Sequence, residues 1–108
     1  MPRPLLVGLF WVLVVVVGVL ALVPADFPLP STGWDKANHA LAFGVLGVLG
    51  NACWPARRWH VILALAAYGG AIEIAQTFTE TRLGEWLDWL ADVAGLALAL
   101  AVHAVRRR

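Results

Sequence analysis

Charged side chains are scarce in this chain: 14% of 108 residues, and none at all between residues 5 and 23. With 61% hydrophobic residues and a mean hydropathy of +0.79, the composition excludes a soluble globular domain, whose surface needs far more charge. A single cysteine, Cys53, excludes an intramolecular disulfide and a cysteine-built metal centre; it reads as a small apolar residue. Proline is missing from the interior of every long apolar stretch. Its six occurrences (Pro2, Pro4, Pro24, Pro28, Pro30 and Pro55) fall in expected tails or loops, where the missing N–H does no harm. No internal repeat is present, and a net charge of +1 gives no reason to expect a nucleic-acid partner.

What is there is a set of four apolar stretches. Residues 5–23, 36–53, 59–78 and 84–105 are each long enough, at 1.5 Å per residue, to cross most or all of a hydrocarbon core of about 30 Å. The expected fold is therefore all-α: a polytopic membrane protein, a single four-transmembrane-helix bundle. The first stretch exceeds the usual apolar core of a signal peptide and reads as a retained helix. Five of six tryptophans (Trp34, Trp54, Trp59, Trp86 and Trp89) stand near the ends of these stretches, as rings anchored at a water–lipid boundary do, and Trp11 alone is central.

The few charges are segregated. Arg3, Arg57, Arg58 and Arg106–Arg108 fall on one side of a four-span chain, and all seven acidic residues, Asp26, Asp35, Glu73, Glu80, Glu85, Asp88 and Asp92, in the opposite half. By the positive-inside rule both termini are expected in the cytoplasm and the acidic half outside.

Ionisable groups inside a span cost roughly 2.5 to 3.5 kcal/mol each at the centre, so they point to function where partners can be named. His39 is about a turn inside the second stretch, Glu73 some five residues from the outer end of the third, and Asp92 about eight residues into the fourth. All three share one layer. Lys36, His39 and Phe43 lie on one helical face; Glu73 and Gln76, and Asp88 and Asp92, are spaced to share faces on the next two helices. Gly47, Gly50, Gly69, Ala91, Gly95 and Ala99 allow the close approach on which membrane helices pack.

Asp35-Lys36-x-x-His39-x-x-x-Phe43, Glu73-x-x-Gln76 and Arg82-x-Gly84-Glu85-x-x-Asp88-x-x-x-Asp92 stand in an order and spacing that resemble the VanZ-like membrane proteins, over about residues 35–95. The resemblance carries over to Asp35, Lys36, His39, Phe43, Glu73, Gln76, Arg82, Asp88 and Gly95. Asp92 departs, standing where the family usually has asparagine and adding a negative charge beside Asp88. A bacterial cell-envelope protein is implied, in a family whose founding member is linked to low-level resistance to teicoplanin.

Two functional readings follow. In the first, an extracytoplasmic site binds or processes an anionic, lipid-linked envelope substrate: His39, Glu73 and Asp88 carry acid–base chemistry, and Asp35, Lys36, Gln76, Arg82 and Asp92 bind, with Lys36 and the planar guanidinium of Arg82 as the anion-holding groups. In the second, the polar layer is non-catalytic and fixes helix register while the protein acts through a partner. Proton or ion movement along the carboxylates is a weaker third, because the cytoplasmic half offers only Asn51. The carboxylates and imidazole suit a divalent cation, but no tight ligand motif such as HExxH is present, and the reading assigns no metal and no cofactor. His60 and His103 are assigned no role. Membrane lipid is the expected surrounding partner.

Overall fold

A computed structural model of the chain describes residues 2–22, 35–78 and 86–106, and of residues 35–37 the backbone alone. These residues form four long helices, α1 (Arg3–Leu22), α2 (Asp35–Cys53), α3 (Arg58–Gln76) and α4 (Trp86–Arg106), with a single 3₁₀ turn at Pro55–Arg57. Helix is the expected answer for apolar runs of this length, since each backbone N–H is then satisfied within its own segment. Pro4 sits in the first turn of α1, where a missing N–H is an orphan in any case. Pro55 has the opposite effect: α2 stops just before it, Trp54 N–H closes on Gly50 C=O at 2.9 Å, and the chain turns through 117° into α3. At the far end of α3 the Thr77 hydroxyl donates to Ile74 C=O at 2.6 Å and Phe78 N–H to Ala75 C=O, so the helix ends earlier than its apolar pattern.

Two helices, α1 and α4, are each long and apolar enough to cross a membrane by themselves; α2 and α3 meet that standard only when taken together across their bend. The distribution of side chains is inside-out relative to a water-soluble protein. Asp92 is wholly buried, Asn51, Gln76, Asp88 and Glu73 nearly so, while Leu63, Leu98, Ile74 and Val105 are each more than 60% exposed. A water-soluble monomer does not present so much contiguous apolar surface. Its interior would not gather carboxylates either.

The closest helix pair is α2 with α4. Its cause is glycine: a Cβ added at Gly95 would run into the Ala40 carbonyl oxygen and stand 2.9 Å from the Gly44 backbone nitrogen, and one at Gly47 would stand 2.6 Å from the Ala99 methyl. Ala40/Gly44 on α2 and Gly95/Ala99 on α4 are thus two facing small-xxx-small pairs, which let backbones touch where lipid supplies no hydrophobic drive. Above and below that contact the core is filled by Phe43, Leu46, Leu65 and Leu96.

The outermost helix is α1. Only Phe10 is buried in it, against an edge-on cluster with Trp11 and Trp54. Polar side chains from the other helices fasten it through its backbone: the Tyr68 hydroxyl donates to Val14 C=O and Gln76 Nε2 to Ala21 C=O at 2.7 Å. From α1 itself, Arg3 Nε donates to Cys53 C=O at 3.1 Å, satisfying an orphan carbonyl at the end of α2. The Tyr68 contact requires Gly18, since a Cβ there would lie 2.5 Å from the phenol oxygen.

Candidate functional site

The turn between α2 and α3 and the packing of α4 on both bring the start of α2, the end of α3 and the start of α4 to one end of the bundle. There His39 of α2 becomes the centre of three carboxylates. Its Nδ1 lies 2.9 Å from Asp92 Oδ1 and 3.9 Å from Glu73 Oε1, and its Nε2 lies 3.8 Å from Asp88 Oδ2. All three acids are buried and the imidazole is nearly so. Each ring nitrogen therefore faces a carboxylate, Asp92 within hydrogen-bond reach and Asp88 just beyond it.

Local sequence explains how the acids are accommodated. Asp88 stands in the first turn of α4, where the positive end of the helix dipole favours it. One turn on, Asp92 fits against α3 because position 69 is glycine: a Cβ there would come 2.7 Å from Asp92 Oδ2. Phe43 forms the apolar floor below, tilted against Tyr68. Trp89 crosses from α4 to α3, donating its indole N–H to Ala66 C=O at 2.9 Å, and so does more than mark a boundary.

The charge arithmetic is severe. Three buried carboxylates around one imidazole are tolerable in a low-dielectric layer only with protons or cations to offset them. His39, Glu73 and Asp92 each present one donor atom, all within 4.8 Å of one another, a spacing that can close on a divalent cation. Lys36 is one turn before His39 on α2; its side chain and that of Asp35, like the whole of Arg82, lie outside the described residues. His39, Glu73, Gln76, Asp88 and Asp92 each take part in further interactions as well.

Of the residues expected from sequence, His39, Glu73, Asp88 and Asp92 come together. Gln76 is buried on the same helix as Glu73, but its amide reaches outward to the backbone of α1. Sequence reasoning overlooked Gly44 and Tyr68, and read Trp89 only as a boundary anchor. Tyr68 carried a signal, as the only tyrosine of the chain standing mid-helix beside Gly69 and Gly70.

Comparison with curated protein sequences and with solved structures finds no match. A sequence model of the VanZ/LLP1 family matches residues 11–107, from the middle of α1 to the end of α4, well beyond the 35–95 stretch that carries the three polar motifs. With the match running unbroken through every helix that builds the His39 cluster, the chain belongs to the VanZ/LLP1 family.

Proposed function

We propose that this chain is a multi-pass protein of the bacterial inner membrane, a four-span bundle with both termini in the cytoplasm, and that the His39 cluster is an extracytoplasmic site that binds and processes an anionic, lipid-linked envelope substrate. The observation that carries this reading is the imidazole of His39 held between Asp92 on one nitrogen and Asp88 on the other. Asp92 orients the ring through Nδ1, which leaves Nε2, on the Asp88 side, to give or take a proton. Glu73 supplies a second acid–base group beside it. Lys36 and Arg82 hold the anionic group, with Asp35 completing the binding set while Gln76 fastens α3 to α1, and the two cations offset part of the carboxylate charge. Orientation rests on Arg3, Arg57, Arg58 and Arg106 standing at the end opposite the acids.

The test is substitution with two readouts. His39→Ala, Glu73→Gln and Asp88→Asn are expected to leave membrane abundance and detergent stability near wild type while abolishing any envelope phenotype, for which teicoplanin susceptibility of an expressing strain is the first assay. Arg82→Ala is expected to strip the anionic lipid that co-purifies with the wild-type chain, read by mass spectrometry. Loss of folded protein together with phenotype in all three variants would favour the second reading, a non-catalytic layer that fixes helix packing. One observation speaks for that reading: the His39–Asp92 bond is itself a tie between α2 and α4.

A further inference from the structure

The opposite end of the bundle holds a second polar place, independent of the His39 cluster. Asn51, near the end of α2, is 1% exposed, and neither its amide nitrogen nor its amide oxygen has a hydrogen-bond partner among the described residues. On α4, His103 is 9% exposed and its Nε2 also lacks one there. A buried amide left unsatisfied costs about 1–3 kcal/mol, so leaving two such side chains in one small bundle calls for a ligand. The two residues line the same groove, about 400 Å³ in volume.

The walls say what kind. Arg106 lines the groove beside them, and Leu6, Val48 and Val102 supply apolar surface. Arg3, fixed to Cys53 C=O, and Arg57 stand at the same end. A phosphate diester suits this set: Arg106 takes its charge, His103 Nε2 one of its oxygens, and the Asn51 amide, at once donor and acceptor, a headgroup hydroxyl. The apolar walls, at the end of helices that run about the length of a hydrocarbon core, suit the first carbons of an acyl chain. We propose that the groove between the ends of α2 and α4 binds one anionic phospholipid, headgroup inward against Asn51 and His103.

The full chain is placed in nanodiscs holding equal amounts of phosphatidylglycerol and phosphatidylcholine, released, and weighed with its retained lipid by native mass spectrometry. Retention of one phosphatidylglycerol in preference to phosphatidylcholine is expected, with Asn51→Leu and Arg106→Gln each lowering its retention about tenfold, the loss of one charged or buried hydrogen bond. Neither substitution threatens the fold: Asn51→Leu removes an unsatisfied buried amide, and Arg106 is exposed. Circular dichroism and melting temperature verify that. Equal retention of the two lipids, or unchanged retention in both variants, overturns the proposal. So does displacement of the lipid by an equal concentration of glycerol 3-phosphate, which would make the ligand a soluble phosphate.

Discussion

His39 Nδ1 and Asp92 Oδ1 stand 2.9 Å apart across fifty-three residues of chain, and this bond joins the two helices whose backbones touch most closely. It is at once an interhelical tie and the element that orients the ring. The two roles separate on substitution. Asp92→Asn keeps an acceptor oxygen at the same place while deleting a charge from a crowded carboxylate group, and its melting temperature in detergent should equal or exceed that of wild type. Asp92→Leu removes the acceptor 2.9 Å from the imidazole Nδ1 and should cost about 1–3 kcal/mol. A leucine variant as stable as the asparagine one would mean that the bond contributes nothing to packing.

Glycine at position 95 should be indispensable and glycine at position 8 dispensable. A methyl at Gly95 meets the Ala40 carbonyl, so Gly95→Ala must push α2 and α4 apart at a cost of about 1–3 kcal/mol. Gly8 has nothing within 4 Å of its would-be Cβ, so Gly8→Ala should hold or raise stability by about 0.5–1 kcal/mol through helix propensity alone. Unfolding in mixed micelles compares the two; equal effects would contradict the packing described.

Gly18 and Tyr68 should be coupled. Gly18→Ala is expected to destabilise by driving a methyl into the phenol oxygen, and Tyr68→Phe by losing the bond to Val14 C=O, worth about 0.6 kcal/mol and at most about 1.7 in a membrane bundle. With the hydroxyl gone the alanine fits, so the double variant should be more stable than the sum of the singles allows. Strict additivity would show that the two residues do not meet.

Topology is checked by cysteine labelling. Cys53 is wholly buried and should stay silent toward a membrane-impermeant maleimide. With both termini in the cytoplasm, Ser31→Cys labels in intact cells and Ala56→Cys only after lysis. The reverse pattern would turn the protein over and put the His39 cluster on the cytoplasmic face.

Much of this structure was legible in the sequence. Uninterrupted apolarity specifies α1 almost to its ends, α4 is as well marked despite Asp88 and Asp92 in its first half, and depth with helical phase suffices to gather His39, Glu73, Asp88 and Asp92. Ends were harder: α3 stops at Gln76 and not at Phe78 because a local threonine hydroxyl bond competes with the last turn. The closest contact point, Gly44 against Gly95, depends on the crossing geometry of two helices, which periodicity does not contain. Asn51 and His103 are far apart in sequence, and only the packing of α2 on α4 makes one groove of them. Asp35, Lys36 and Arg82 remain expectations from the motifs.

An apolar stretch separates the two polar ends. From Asp92 to His103 is eleven residues, about 16 Å of helix, and the space beside it is closed by Phe43, Leu46, Leu96 and Ala99, each 2% exposed or less. Among the described residues, these side chains form an apolar layer between the two polar places, with the Tyr68 hydroxyl, bound to Val14 C=O, at its flank. The two polar places are thus held apart within one bundle by a layer of apolar side chains, so a substitution at one end, such as Asn51→Leu, is expected to leave the behaviour of the His39 cluster at the other unchanged.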